Sequence, residues 1–273
     1  MTEDDFVRLQ GLMASRAGYR LSNDRMHLAE HRLGPVARRE GYHNVEALLA
    51  HIWSRPLGTL AWEVIECLLN AETWFRRDRP VFELYSRELL PVLSSARADR
   101  PVRIWCAGGG SGQEAYSLAM EALRLDVKVE ILSTDLSARS IAKAQQGIYT
   151  GFEIQRGLPA RTMLDWFEPY DDQWRAVPAL RQCIRFARTN LLDPLPEPLS
   201  NSGPFDLIFC RYVLDDMVPD HRATVLEHLC DRMVDDGCLF LGKSEHSQGN
   251  AFRAVAGQSG LYVKAPDRSR RAA

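Results

Sequence analysis

Through the first 95 residues, apolar side chains recur at three- and four-residue intervals, the spacing that lines one face of an α-helix. FVRLQGLMASRAG, MHLAEHRLGPVARREG, NVEALLAHIW, TLAWEVIECLLN and VFELYSRELLPVL all follow it. Asn44 stands where an N-cap is expected, Gly41 where a helix should stop, and Pro91 predicts a break in the fifth segment. After the polar connector RADRPVR the pattern changes. Short unbroken apolar runs (VRIWCA, VKVEILSTD, IRFARTN, FDLIFCRY, CLFLGK) alternate with longer segments such as QEAYSLAMEALRL, ARSIAKAQQG and RATVLEHLCDRMV. Such alternation predicts an α/β fold, a doubly wound, mostly parallel sheet with helices on both faces. LYVKA is expected as an added antiparallel edge strand.

The expected organisation is a small all-helical domain over residues 1–95, linker included, and an α/β domain over 96–273. A turn- and aromatic-rich stretch at about 149–185 interrupts the alternation and predicts a small inserted subdomain of helix or hairpin. The DRSRRAA tail reads as disordered.

Composition narrows the class. No apolar stretch approaches the ~20 residues of a membrane span, and the acidic start MTEDDFVRLQ lacks a signal-peptide core, so a cytoplasmic location without membrane insertion is expected. A net charge of -2 argues against a nucleic-acid partner. The six cysteines form no CxxC pair or His/Cys cluster and read as reduced core residues. His27 and His31 share a helix at i, i+4 but lack a third ligand, so no metal is expected.

Candidate chemistry gathers where strands should end, because open parallel sheets bind ligands outside their carboxyl ends. The first run ends in AGGGSGQE, where Gly108 and its neighbours let backbone N–H groups approach a ligand. The second ends in Asp135, placed to accept ribose hydroxyls. A nucleoside cofactor follows. The turn is neither GxxxxGK[ST] nor a good GxGxxG, and Glu114 opens the next helix where a diphosphate would sit. Its charge repels phosphate but suits an ammonium group. S-adenosyl-L-methionine, with a ribose, an amino group and no phosphate, fits better than NAD.

Over nearly its whole length the chain resembles the CheR family of chemoreceptor glutamate methyltransferases. CAGGGSGQEAYSLAM is similar to the family's AGCSTGEEPYSLAM and NAETWFR to its NETSFFR. ILSTDLSARSIAKAQQGIY, NLLDPLP, FDLIFCRYVL, LFLGKSEHSQG and LAEHRLGPVARREG match further family segments in order. The resemblance implies a Rossmann-like class I methyltransferase fold and S-adenosyl-L-methionine as cofactor, with S-adenosyl-L-homocysteine as product. It implies cofactor contacts from Asn70, Glu72, Arg76, Gly108, Glu114, Asp135, Asn190, Leu191, Arg211 and Tyr212. Asp135 would take the ribose, Glu114 the methionine amino group, and Asn190 with the Leu191 backbone the adenine edge. Arg76 offers a planar fork for a carboxylate of cofactor or substrate, and Arg76 and Tyr212 are the candidate catalytic residues. Trp74 and Phe75 suit core packing or an adenine wall equally.

The substrate implied is the glutamate side chains of methyl-accepting receptors, whose cytoplasmic region, or a related signalling protein, is the expected partner. Arg32, Arg38 and Arg39, with Arg25, fall in the segment that faces the receptor in the family. The 149–185 insertion occupies the place of a peptide-docking subdomain, but EIQRGLPA resembles members without that tether. The chain also departs from the family: Glu72 replaces a Thr, Gln113 a Glu, Ala115 a Pro, Tyr212 an Asn and Asp216 a Tyr. These departures keep open a non-catalytic, cofactor- or product-binding signalling module. A methyltransferase for another acceptor is disfavoured, since no [ND]PPY-like stretch is present.

Overall fold

The computed structural model describes residues 1–200, 203–247, 249 and 251–265, and the DRSRRAA tail lies outside them. These residues divide into two compact units, one of residues 1–70 with 216–222 and one of 71–215 with 223–273.

The first unit is helical, with helices Glu3–Ala17, Met26–Arg39, Val45–Trp53 and Thr59–Leu68. Asn44 caps the third as expected, its side chain accepting the Ala47 N–H at 2.8 Å. Leu9, Met13, Leu33, Leu48, Leu49, Val64 and Ile65 have no exposed surface, which is the periodic stripe read from the sequence turned inward. Residues 216–222 pack with these helices. Tyr19 forms an isolated antiparallel bridge with Met217, the Arg20 N–H donates to the Asp216 carbonyl at 2.7 Å, and the Val218 N–H donates to Gly18 at 2.8 Å.

The second unit carries ten strands: β1 Val102–Ala107, β2 Val129–Asp135, β3 Ile148–Tyr149, β4 Phe167–Tyr170, β5 Gln173–Ala176, β6 Ile184–Arg188, β7 Phe205–Cys210, β8 Met233–Leu241, β9 Phe252–Ala254 and β10 Leu261–Lys264. Seven form one sheet in the order β6-β2-β1-β7-β8-β10-β9. Pairing is parallel from β6 to β8 and antiparallel for β10 with both of its neighbours. β1 and β7 are buried at every position, the signature of strands covered on both faces. Strand order reverses at β1, so the crevice beyond the ends of β1, β2 and β7 is where a ligand belongs.

Three local expectations are corrected. LYVKA is antiparallel but not at the edge; β9, from the short stretch AFRA that shows no clear pattern, covers it. Pro91 does not break its helix. Residues Tyr85–Leu89 form a wide π-turn, with the Leu90 N–H reaching back to the Tyr85 carbonyl, and Pro91 then sits in the first turn of helix Leu90–Ala96, where its missing N–H costs nothing. Only Cys106 and Cys210 of the six free cysteines are fully buried, the other four being half-buried.

Residues 71–96 fall in the second unit, because Phe75, Phe82, Tyr85, Leu90 and Leu93 join the core beneath the sheet. The inserted region folds as helices Gly151–Gln155 and Ala160–Trp166 and a small antiparallel sheet in the order β3-β5-β4.

Candidate active site

Three strand ends build the site. Beyond β1, Gly108 has φ +81°, and a Cβ there would meet Val213 Cγ2 at 2.4 Å, so the turn excludes side chains on both conformational and steric grounds. Gly110 donates its N–H to Asp135 Oδ2 at 2.9 Å, tying the glycine turn to the end of β2. The other Asp135 oxygen accepts the Ser137 N–H at 2.9 Å. The Thr189 N–H donates to the Asp135 carbonyl at 3.0 Å and starts the turn that carries Asn190 and Leu191. Asn190 Oδ1 accepts the Leu192 N–H at 3.2 Å, and His228 Nδ1 lies 3.1 Å from the Leu191 carbonyl. A cavity opens beside this turn, lined by Trp105, Thr189, Asn190, Leu191 and His228 among others, with the Thr189 hydroxyl buried and unpartnered. Gly108, Asp135, Asn190 and Leu191 are thus brought together.

The second group centres on helix Gln113–Arg124, which follows the glycine turn. Glu114, Ser117 and Glu121 recur at three and four residues and so share one face. That face meets the segment Arg76–Asp78 and Arg211, the residue after β7. Arg211 Nη1 donates to Glu114 Oε2 at 2.5 Å, and Arg211 Nη2 to Asp78 Oδ2 at 2.6 Å and to the Arg77 carbonyl at 2.8 Å. The guanidinium is nearly sealed from water. Burial alone would lower its pKa, but Glu114 and Asp78 outweigh that and raise it. Tyr212, at φ +60°, donates its hydroxyl to the same Asp78 carboxylate; burial and then that hydrogen bond push its pKa up.

Arg76 meets the same helix face one turn further along. Its guanidinium pairs with the buried Glu121, which also holds Arg124, and its N–H donates to Ser117 Oγ at 3.0 Å. One nitrogen of the fork expected to face a ligand carboxylate, Nη2, is engaged by Glu121, while Nε is buried without a hydrogen-bond partner among the described residues. Glu72 pairs with Arg156 at 2.6 Å, and that contact holds its carboxyl below the usual range. Asn70 lies in the first unit and donates to Asp216 Oδ2 at 3.1 Å, so an expected cofactor contact is joined there to a position where the chain departs from the family. Among the receptor-facing candidates, Arg32 caps the end of its neighbouring helix through the carbonyls of Leu68 and Leu69, at 3.3 and 3.1 Å. Arg39 pairs with Glu40 and Glu63, and Arg38 is exposed.

Sequence reasoning missed Asp78 and two further carboxylates. Glu121 was legible in hindsight from its seven-residue interval to Glu114. Glu245 has no such signal. It is buried and accepts N–H bonds from Tyr212 (2.7 Å), Leu214 (2.6 Å), Asp215 (3.2 Å) and Gly242 (2.6 Å), clamping the loop after β7.

The donor set fits a cofactor with a ribose and an ammonium group better than a phosphate. Two carboxylates flank a glycine-rich turn, Oε1 of Glu114 has no partner among the described residues, and the nearest buried cation is already bound to acids. The comparisons agree. Residues 71–260 match the family described as CheR methyltransferase, SAM binding domain. The chain belongs to the CheR methyltransferase family. Its cofactor is therefore S-adenosyl-L-methionine. Chemotaxis protein methyltransferase Cher2 of Pseudomonas putida is 28% identical over 96% of this chain and 98% of its own length. Chemotaxis protein methyltransferase 1 of Vibrio cholerae is 30% identical over 95% of each. Chemotaxis protein methyltransferase of Borreliella burgdorferi is 29% identical over 92% of this chain and 90% of its own. No helix among the described residues of this CheR chain is long and apolar enough to cross a membrane, and they hold no cluster of potential metal ligands.

Proposed function

We propose that this CheR protein methylates glutamate side chains on the cytoplasmic region of chemotaxis receptors. The observation that carries the reading is the pair of carboxylates, Asp135 and Glu114, set on either side of the Gly108–Gly112 turn. Asp135 would accept the ribose hydroxyls while Gly110 holds the carboxylate in place. Glu114 would take the methionine ammonium on its open oxygen, with Arg211 fixing the other. Asn190 and the Leu191 backbone would meet the adenine edge. The cofactor supplies, when bound, an electrophilic methyl on a positive sulfur, whose bonding pair stays on sulfur as the methyl leaves. The chain's own task is modest: a glutamate with a pKa near ~4.3 is already ionised at neutral pH, so no general base is needed. Alignment and exclusion of water can supply most of the acceleration, and Tyr212, held by Asp78, is placed to shape that approach.

The test is calorimetric titration with S-adenosyl-L-homocysteine followed by methyl transfer from labelled cofactor to receptor cytoplasmic fragments. Binding with transfer is expected, and Asp135→Ala should weaken binding at least about tenfold through lost charge-assisted hydrogen bonds. Binding without transfer to any receptor would favour a signalling module instead, and no binding would end the reading.

A further inference from the structure

Four arginines crowd the segment between Glu72 and Asp78. Arg76 has Glu121, Arg156 has Glu72, and Arg211 has both Glu114 and Asp78. Of these four, Arg77 makes no ion pair among the described residues, although its charge helps to lower the nearby Glu72 carboxyl. Its guanidinium carbon sits 3.4 Å from the centre of the Tyr212 ring and 4.3 Å from that of Trp74, and Arg156 lies 4.2 Å from the Trp74 ring. Arg156 and Arg77 thus both lie over the Trp74 ring, and Arg77 also lies over that of Tyr212. One Arg77 nitrogen donates to the Glu72 carbonyl at 3.0 Å. Its other nitrogens are not sealed in, since none is among the buried atoms lacking a partner.

We propose that Arg77 is the anchor for the substrate's carboxylate, a guanidinium held against the Trp74 and Tyr212 rings with hydrogen-bonding nitrogens left open. The inference rests on the glutamate reading above. The two rings hold the planar cation and displace part of its hydration, while the N–H groups not bonded to the Glu72 carbonyl stay available for an anion. Each neighbouring arginine already holds an acid of the chain, whereas Arg77 does not. Position supports the assignment: the Arg77 carbonyl binds Arg211, which holds Glu114, so Arg77 adjoins the groups assigned to the methionine end of the cofactor. Arg76, the fork singled out by its motif, is committed to Glu121; the next residue along carries the free one.

The test reads binding preference rather than turnover. Receptor cytoplasmic fragments carrying either Glu or Gln at the methylated position are titrated, by fluorescence polarisation, against the protein saturated with S-adenosyl-L-homocysteine. The wild type should prefer the Glu fragment about tenfold, the scale of a hydrogen bond to a charged group. Arg77→Met should abolish that preference, Arg77→Lys should keep part of it, and calorimetric affinity for S-adenosyl-L-homocysteine should change less than about twofold in both. A Glu preference that survives in Arg77→Met overturns the proposal, as does a parallel loss of product affinity, which would place Arg77 on the cofactor. Wild-type protein that binds neither fragment overturns the glutamate reading itself, and this inference with it.

Discussion

Asp206 has no exposed side-chain surface, yet it is charged, because the chain surrounds it with donors. Arg97 Nε, both terminal nitrogens of Arg100 and the Arg103 N–H reach it at 2.7–2.9 Å. Burial pushes its pKa up, but the Arg100 hydrogen bonds and those from Arg103 and Arg97 outweigh it and hold the carboxyl below the usual range. A lowered carboxyl stabilises the fold above its unfolded value of about 3.9 and loses that contribution as pH falls through the folded value. Asp206→Asn should therefore cost about 3–5 kcal/mol in urea unfolding at pH 7 and flatten the acid limb of the stability curve. Glu245 runs the other way, with burial raising its carboxyl despite four backbone donors. Glu245→Ala strands those N–H groups, each worth about 1–3 kcal/mol when left unpaired. It should destabilise the protein and weaken product binding by loosening Tyr212–Asp215, measured by urea unfolding and calorimetry. Residues at this scale divide by how local their signal is. Glu114 was legible because it opens a helix next to glycines, and Asp135 because it closes a strand. The Arg76–Glu121 and Arg211–Asp78 pairings were not, since both join partners more than 40 residues apart.

At the scale of elements, helix and strand type followed from apolar spacing wherever a segment was long and buried, as in β1, β7 and the four helices of the first unit. What failed was short or conditional. β9 has three residues, too few to show a period, and its presence moved β10 inward. Pro91 announced an irregularity, but not that it would take the form of a π-turn over Tyr85–Leu89 rather than a break. The inserted region hangs on a different device. Gly157, at φ +147°, lies so close to the Phe75 carbonyl that a Cβ would stand 2.0 Å from its oxygen. That approach brings Arg156 to Glu72 and Trp74. Gly157→Ala should cost more than about 2 kcal/mol, because the obstacle is backbone and the φ is unfavourable as well. Altered tryptophan fluorescence and a lower urea midpoint would register the change.

For the molecule as a whole, ligand and fold are linked. Product at a hundred times its Kd should raise stability by about 2.7 kcal/mol, and Asp135→Ala should remove the gain at the same concentration, both read from thermal unfolding. The change of pattern near residue 100 suggested two units, but the division falls at residue 70, and the excursion of residues 216–222 showed in no local pattern. They lie 146 positions beyond Asn70 and look, on the page, like the loop after a strand. Their bridge to Tyr19 has a consequence for how such a protein can be inherited. The helical unit is assembled from two separated stretches of the gene, and Met217, buried in it, is encoded inside the catalytic domain. A recombination that exchanged the first 70 codons would carry off four helices and leave one of their contacts behind. Any lineage that swaps this unit for another must co-adapt a loop of the enzyme, so the two parts travel together.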